Sequence, residues 1–352
     1  MTAPVSSGSS ASQSTGEFVG APFGTEIEYR AALREAMRAE MHRDPGVILI
    51  GEEVARYGGA YAVSKGMLEE FGEARIIDTP ISEPAIVGSA VGAAMTGLKP
   101  IAELMYVDFG YLAMDQIANQ AAKIRYMFGG QIGVPMVLRA PMGTGRSGGA
   151  QHSQSLEAMF WHTPGLRVAA PATVTDCYHL LRAAIALPDP VIFLEHKALY
   201  ASKGMLDEVA APWGKAVVRR AGNSLTIITY SRMVFYSLQA AEELSKEGIE
   251  VEVIDLRTLN PLDLETVANS VKRTGRALIV TEDTLTAGAS AELSALIQEE
   301  CFDYLEEPVL RLAAEDIPIP VSPALEAGSV PSPARIIAIA RRLMRRANRG
   351  SA

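Results

Sequence analysis

A carboxylate lies between a predicted strand and a predicted helix in residues 76–84, Ile-Ile-Asp-Thr-Pro-Ile-Ser-Glu-Pro. Pro84 fits the first position of a helix, where no backbone N–H is needed, and a residue before proline avoids helical angles. We therefore expect Glu83 to be extended at a strand-to-helix corner, where ligands bind in parallel sheets. Its apolar neighbours would favour the protonated form. Glu83 could transfer protons there, or it could only cap its helix.

A histidine occupies a similar position in the run Gln-His-Ser-Gln-Ser at 151–155. His152 follows a glycine-rich loop on the carboxyl side of a predicted strand and precedes a predicted helix. Histidine exchanges protons near neutral pH, so His152 is a candidate for acid–base chemistry. It could instead only hydrogen-bond the loop backbone.

The loop before His152, Gly-Thr-Gly-Arg-Ser-Gly at 143–148, matches the dinucleotide fingerprint literally. A genuine fingerprint opens directly into a helix and is followed about 20 residues later by an acidic residue at a strand end. This loop continues through residues 149–151 before any helix, and no such acid follows. The pattern favours a mobile loop beside a site, with a dinucleotide-dependent oxidoreductase as the alternative.

The composition of the 352 residues excludes several classes of protein. Hydrophobic residues make up 48%, the net charge is −9, and the pI is about 5.2, which argues against nucleic acid or an anionic membrane as a partner. The most apolar stretch, 86–98, is shorter than the ~20 residues of a membrane span. Cys177 and Cys301 have no paired spacing, no metal-ligand spacing is present, and a cytoplasmic location is expected.

The apolar periodicity predicts strands that alternate with helices, and therefore α/β domains with mainly parallel sheets. We expect a disordered tail at 1–22, a first doubly wound domain at 23–200, a linker at 201–214 and a second, smaller domain at 215–346. The predicted strands are 47–50, one from 76, 100–105, 134–139, 167–170, 191–195, 225–230, 251–255, 277–281 and 309–312. The predicted helices are 25–42, 64–71, 85–97, 112–126, 153–162, 174–187, 234–247, 264–272, 289–301 and 333–346.

Several stretches together resemble one family over about residues 25–342. They are 51–54 with 57–59, 78–83, 97–103, 115–119, 126–131, 151–154 and 195–197. They look like the beta subunit of the thiamine-diphosphate-dependent first component of 2-oxo acid dehydrogenase complexes. The resemblance implies a transketolase-like architecture, with a pyrimidine-binding domain and then a transketolase C-terminal domain.

The resemblance also implies a second chain. In the family, the alpha subunit binds the diphosphate and Mg²⁺ through a Gly-Asp-Gly motif, which this sequence lacks. We therefore expect no Mg²⁺ ligand on this chain, an α2β2 heterotetramer, and delivery of the acyl group to the lipoyl acyltransferase core of the complex.

By the same resemblance, Glu83 hydrogen-bonds a pyrimidine nitrogen of the cofactor and promotes loss of the thiazolium proton. His152 matches the histidine that faces the substrate and the lipoyl group. Ile81, Met105 and Phe109 match residues that line the aminopyrimidine pocket, and Phe109 would stack on the ring.

Some members of this family also hold a structural potassium ion. The matching positions here are Met136, Ala184, Ile185, Leu187 and Asp189. Leu187 stands where relatives have an acid, so a site here would depend more on backbone carbonyls.

The segments 106–109 and 119–125 look more like the pyruvate and acetoin branches of the family than the branched-chain branch. We therefore expect decarboxylation of a 2-oxo acid, pyruvate first, or cleavage of acetoin. The alternatives are a branched-chain 2-oxo acid dehydrogenase beta subunit and a non-catalytic scaffold paralogue. The presence of both Glu83 and His152 argues against the scaffold.

Overall fold

The computed structural model describes residues 20–347. The disordered tail predicted for residues 1–22 lies outside the described residues except for its last three positions. The strands, numbered along the chain, are β1 (Thr25–Glu28), β2 (Val47–Gly51), β3 (Ile76–Asp78), β4 (Lys99–Glu103), β5 (Val137–Met142), β6 (Arg167–Ala169), β7 (Val191–His196), β8 (Lys203–Leu206), β9 (Val217–Arg220), β10 (Leu225–Thr229), β11 (Val251–Asp255), β12 (Thr258–Asn260), β13 (Ala277–Thr284) and β14 (Leu310–Ala314).

Helices connect most of these strands. The α-helices are α1 (Tyr29–Arg43), α2 (Met67–Phe71), α3 (Glu83–Met95), α4 (Ala122–Met127), α5 (Glu157–Trp161), α6 (Val174–Ala186), α7 (Met233–Ser245), α8 (Leu264–Thr274), α9 (Ala289–Cys301), α10 (Pro323–Ser329) and α11 (Pro333–Ala347). Short 3-10 turns occur at Val107–Tyr111, Lys197–Leu199 and Phe302–Tyr304, and a π-helix spans Asp115–Ala121.

The strands form two main sheets. The first has the order β12-β6-β7-β5-β4-β2-β3, and the second has the order β14-β13-β10-β11-β9. All neighbours are parallel except β12, which is antiparallel to β6, and β9, which is antiparallel to β11. A third, two-stranded sheet pairs β1 with β8. Both main sheets are mainly parallel, as predicted.

One cluster of buried apolar side chains joins the two main sheets. It includes Ile50 and Leu138 from the first sheet and Ile228 and Ile279 from the second. The other face of the first sheet packs on α1 and α6, and the other face of the second packs on α7 and α11. The two halves of the chain therefore share a core, which fixes the second half against the carboxyl ends of the first sheet.

Several predicted element boundaries are wrong. The helices predicted at 64–71 and 153–162 span only Met67–Phe71 and Glu157–Trp161, and the strand predicted at 134–139 spans Val137–Met142. The helix predicted from residue 25 begins only at Tyr29, because the four preceding residues pair with β8. Glu83 is the first residue of α3, and Ser82, with a φ of −165°, is the extended residue before it. The first helical N–H groups need no intrahelical partner, so the helix can start one residue before Pro84. The helix predicted at 112–126 is a π-helix before it continues as α4.

Candidate active site

The carboxyl ends of four neighbouring strands bring the predicted site residues to one edge of the first sheet. In the sheet these strands lie in the order β5-β4-β2-β3 and run parallel. Glu83 follows β3 at the start of α3, Phe109 lies in the turn after β4, and His152 ends the loop after β5. Met105, two residues after β4, is half-buried, whereas Ile81 is 81% exposed.

Glu83 is buried at the start of α3. The apolar side chains of Ile86 and Val87, on the same helix, are buried too. A second carboxylate that the sequence reasoning missed, Glu52, follows β2 and is buried too. Burial and the Glu83 carboxylate raise the pKa of Glu52, and its Oε1 has no hydrogen-bond partner among the described residues. The signal in the sequence is an acid directly after a buried apolar strand. The Glu83 carboxylate therefore disfavours the ionised form of Glu52.

His152 contacts an aromatic cluster on the other side of the site. Its imidazole meets the ring of Tyr106 edge-on at 4.9 Å between centroids, and the ring of Phe109 at 5.4 Å. The buried Lys197 donates a hydrogen bond to the His152 carbonyl and lies over the Tyr106 ring, 5.1 Å from its centroid. The structure thus brings His152 and Phe109 into contact.

The glycine-rich loop does not offer a phosphate site. The N–H groups of Thr144 and Ser147, which a dinucleotide phosphate would need, donate to the carboxylates of Glu282 and Glu326. Helix α5 begins only at Glu157, well beyond the loop. Gly143 has a φ of +86°, and a Cβ there would overlap the His196 imidazole. Backbone conformation and packing therefore both explain a glycine at this position, without a bound phosphate. These contacts count against the oxidoreductase alternative.

Comparison with known proteins identifies the family. Residues 25–203 match the model of the transketolase pyrimidine binding domain, and residues 214–336 match that of the transketolase C-terminal domain. The chain is 45% identical to the pyruvate dehydrogenase E1 component subunit beta of Rhizobium meliloti, over 90% of this chain and 70% of the relative. The chain belongs to the family of E1 beta subunits of 2-oxo acid dehydrogenase complexes.

Other E1 beta subunits are equally similar. The chain is 44% identical to the acetoin:2,6-dichlorophenolindophenol oxidoreductase subunit beta of Cupriavidus necator, over 91% of this chain and 98% of the relative. It is also 44% identical to the 2-oxoisovalerate dehydrogenase subunit beta of Bacillus subtilis, over 90% and 98%. Since relatives named for three substrates are equally similar, overall identity does not choose among them.

The fold of this E1 beta chain also matches a solved structure. A split gene transketolase, described as an inactive beta4 tetramer, superposes with a TM-score of 0.75 over 90% of this chain and 98% of that chain. At 20% identity the match concerns the fold alone. The predicted transketolase-like α/β fold is confirmed.

The positions predicted for potassium lie around the end of α6 in this E1 beta chain. The Met136 carbonyl accepts the Val191 N–H at 2.9 Å, and the Ala184 carbonyl accepts the Leu187 N–H at 3.2 Å. Asp189 is paired with Arg167 at 2.7 Å and also with Arg125. Within residues 20–347, no group of three or more His, Cys, Asp or Glu side chains could hold a metal ion.

Two further findings concern the described part of the E1 beta chain as a whole. It contains no helix long and apolar enough to cross a membrane. Cys177 and Cys301 are both buried free thiols.

Proposed function

We propose that this chain supplies the pyrimidine side of a thiamine-diphosphate site in an enzyme that decarboxylates a 2-oxo acid, pyruvate first, or cleaves acetoin. The acyl group would then pass to a lipoyl domain. The observation that carries the proposal is the convergence of Glu83 and the cluster of His152 and Phe109 on one sheet edge. The family membership supports the same chemistry.

The residues at this edge fit an aminopyrimidine ring. The unpartnered oxygen of Glu52 and the buried carboxylate of Glu83 call for a donor from outside the described chain, because an unpaired buried polar group is costly. Thiamine diphosphate, when bound, supplies an electron sink beside the substrate carbonyl. Glu83 would hold a proton at a ring nitrogen, and Ile81, Met105 and Phe109 would contact the ring.

His152 would act after the cofactor is activated. An imidazole held against Tyr106 and Phe109 can donate a proton to a developing alkoxide or stabilise the acyl group as it moves to the lipoyl sulfur. The half-buried setting limits access of water, which strengthens this interaction.

We further propose an alpha subunit as partner, in an α2β2 heterotetramer that serves a lipoyl acyltransferase core. The sequence lacks the Gly-Asp-Gly motif through which, in the family, the alpha subunit binds the diphosphate and Mg²⁺. The surface of the chain also exposes large apolar side chains, which mark interaction surfaces. They include Ile81, Leu112, Tyr126 and Met127, each more than 60% exposed.

The experiment that tests the proposal uses the chain assembled with its alpha subunit. His152→Ala should leave proton exchange at the thiazolium carbon nearly intact and lower acyl transfer to a lipoyl domain by roughly 10²-fold or more. If both fall together, His152 instead holds the fold or the cofactor. Turnover with pyruvate, acetoin and 2-oxoisovalerate chooses the substrate.

Two finer expectations stay predictions. A potassium ion at the predicted site would make the thermal stability of the assembled enzyme higher in K⁺ than in Na⁺ at equal ionic strength. The predicted site consists of Met136, Ala184, Ile185, Leu187 and Asp189. A cytoplasmic location would be tested by fractionation of the cells that make the protein.

A further inference from the structure

The loop that carries His152, residues 143–152, has few backbone hydrogen bonds of its own. Its base is closed by one backbone hydrogen bond, from Gly143 N to Gln154 O at 2.9 Å. Between these residues the backbone adopts positive φ at Gly143, Gly145, Ser147 and Gly149, with values of 86°, 94°, 53° and 72°. A backbone with these φ values cannot pair as a β-strand, so its N–H groups need other hydrogen-bond acceptors.

The His152 N–H donates to the Gly149 carbonyl within the loop at 3.3 Å. The partners of the Thr144 and Ser147 N–H groups come from the second half of the chain. Glu282, in β13, accepts the Thr144 N–H and the Thr144 hydroxyl, each at 2.7 Å. Glu326, in α10, lies 3.2 Å from the Ser147 nitrogen with each of its oxygens. Both glutamates are nearly fully buried, with 6% and 5% of their surface exposed.

Glu282 is itself fixed in place. The His196 Nδ1 accepts the Ala198 N–H at 3.1 Å, so the proton lies on Nε2, which donates to Glu282 at 2.9 Å. Arg232 Nη1 lies 3.9 Å from the same carboxylate. Burial alone would raise the pKa of Glu282, but His196 and Arg232 outweigh it and the pKa lies below its usual range. Glu282 therefore stays ionised and accepts strongly.

The far end of the loop is held by the first half of the chain. Lys197 donates to the His152 carbonyl, and its ammonium lies over the ring of Tyr106, which contacts the His152 imidazole. The two halves thus hold the loop from opposite ends. Burying two carboxylates is costly, and charge-assisted bonds to loop N–H groups are the interactions that offset this cost.

We propose that Glu282 and Glu326 are positioning residues for His152. They act on the reaction through the backbone of the 143–152 loop and touch no reacting group themselves. The inference rests on the role proposed above for His152, and its test separates the two.

The first measurement needs only the full chain. Glu326→Ala should speed amide hydrogen exchange in the loop peptide 143–152 at least about tenfold, because it removes a charge-assisted hydrogen bond. Glu326→Gln, which keeps an acceptor oxygen, should give an intermediate rate and serves alone if the alanine variant does not fold. The matched control is Glu252→Ala, a glutamate equally buried that bonds Ser270 and Arg273 within the second half.

The second measurement uses the chain assembled with its alpha subunit. Glu326→Ala should lower acyl transfer to a lipoyl domain about tenfold in the wild-type background and have no further effect in a His152→Ala background. Proton exchange at the thiazolium carbon should not change. An equal loss in both backgrounds, or loop exchange no faster than in the Glu252 control, overturns the proposal. If His152→Ala alone does not affect acyl transfer, the role of His152 fails, while the amide exchange still decides whether Glu326 holds the loop.

Discussion

Glu83 and Glu52 are buried carboxyls at adjacent strand ends, and each lies within the electrostatic influence of the other. Burial and the Glu83 carboxylate raise the pKa of Glu52. A buried carboxyl at this position can hydrogen-bond a ring nitrogen of a bound cofactor and share a proton with it. This is the physical basis for the role proposed for Glu83.

The first prediction concerns this carboxyl. In the assembled enzyme, Glu83→Gln should slow proton exchange at the thiazolium carbon by roughly 10²–10⁴, because the amide cannot exchange a proton with the ring. Glu73→Gln, at a glutamate side chain that is 81% exposed, is the control and should leave the rate unchanged. An exchange rate unaffected by Glu83→Gln would contradict the role proposed for Glu83.

A third buried carboxyl lies where the two halves meet. Glu157, at the start of α5, accepts the Tyr230 hydroxyl at 2.9 Å, and its other oxygen has no partner among the described residues. Burial and the Asp283 carboxylate raise the pKa of Glu157 to about 8. An unfolded glutamate titrates near pH ~4.3, so the folded state holds this proton over a range in which the unfolded state has lost it.

The second prediction follows from this difference. The contribution of Glu157 to stability is fully present below pH ~4 and is lost as the pH rises to about 8. Glu157→Gln keeps an acceptor for Tyr230 and cannot ionise. The free energy of unfolding of this variant, relative to that of the wild type, should therefore rise by on the order of 3 kcal/mol between pH 5 and pH 8. Thermal unfolding of both proteins at several pH values measures this difference. If their free energies of unfolding change with pH in parallel, the prediction is wrong.

Among the elements, the loop after β5 depends on a glycine at its first position. Gly143→Ala would place a Cβ against His196 Nε2 and would strain a φ of +86°. We expect a loss of roughly 1–3 kcal/mol in stability, with displacement of the loop. Gly92→Ala in α3, where no atom lies within 4 Å of the new Cβ, is the control and should be neutral or slightly stabilising. Equal unfolding midpoints for the two variants would contradict this prediction, because they would show that the His196 side chain moves aside at no cost in stability.

Helix α3 also has a face of small residues. Pro84, Ala85, Ser89 and Gly92 are exposed, while the opposite face is buried and packs on the π-helix. A chain that approaches this face could come close to the helix backbone, and we predict that the face lies in a subunit interface. Gly92→Leu should therefore leave the stability of the isolated chain nearly unchanged and weaken assembly at least tenfold in sedimentation or calorimetric titration. Ala338→Leu, at an exposed site on α11, is the control and should not weaken assembly.

At the scale of the whole molecule, we propose that the site is half of a cofactor site. The purified chain should show no decarboxylase activity and little binding of thiamine diphosphate by calorimetry, because much of the affinity would come from the Mg²⁺-bound diphosphate on the alpha subunit. Addition of the alpha subunit should restore both. Tight cofactor binding and turnover by the isolated chain would refute the split site.

The main strands and the edge that carries the site were predictable because local patterns encode them. Residues 47–50 are a continuous apolar run, as expected of a parallel strand buried on both faces, and a Ser-Glu-Pro sequence marks a helix start. Strand β8 lies inside the segment predicted as a linker. Strands β1, β8, β9 and β12 were missed because each is only three or four residues long and pairs with a segment far away in the chain. Glu282 and Glu326 could not be assigned for the same reason, since 138 and 179 residues separate them from the loop groups that they bind.

Strand β12 has a consequence for any attempt to divide the protein. It comes from the second half of the chain but covers the outer side of β6 in the first sheet. A fragment cut within residues 207–213 would leave the β6 backbone groups unpaired along an open edge, which is a template for pairing with other chains. We expect such a fragment to aggregate when expressed alone and to stay dispersed when the remaining residues are co-expressed as a separate polypeptide. The junction between the two halves thus behaves as a complementation point and not as a place where an independent module can be excised.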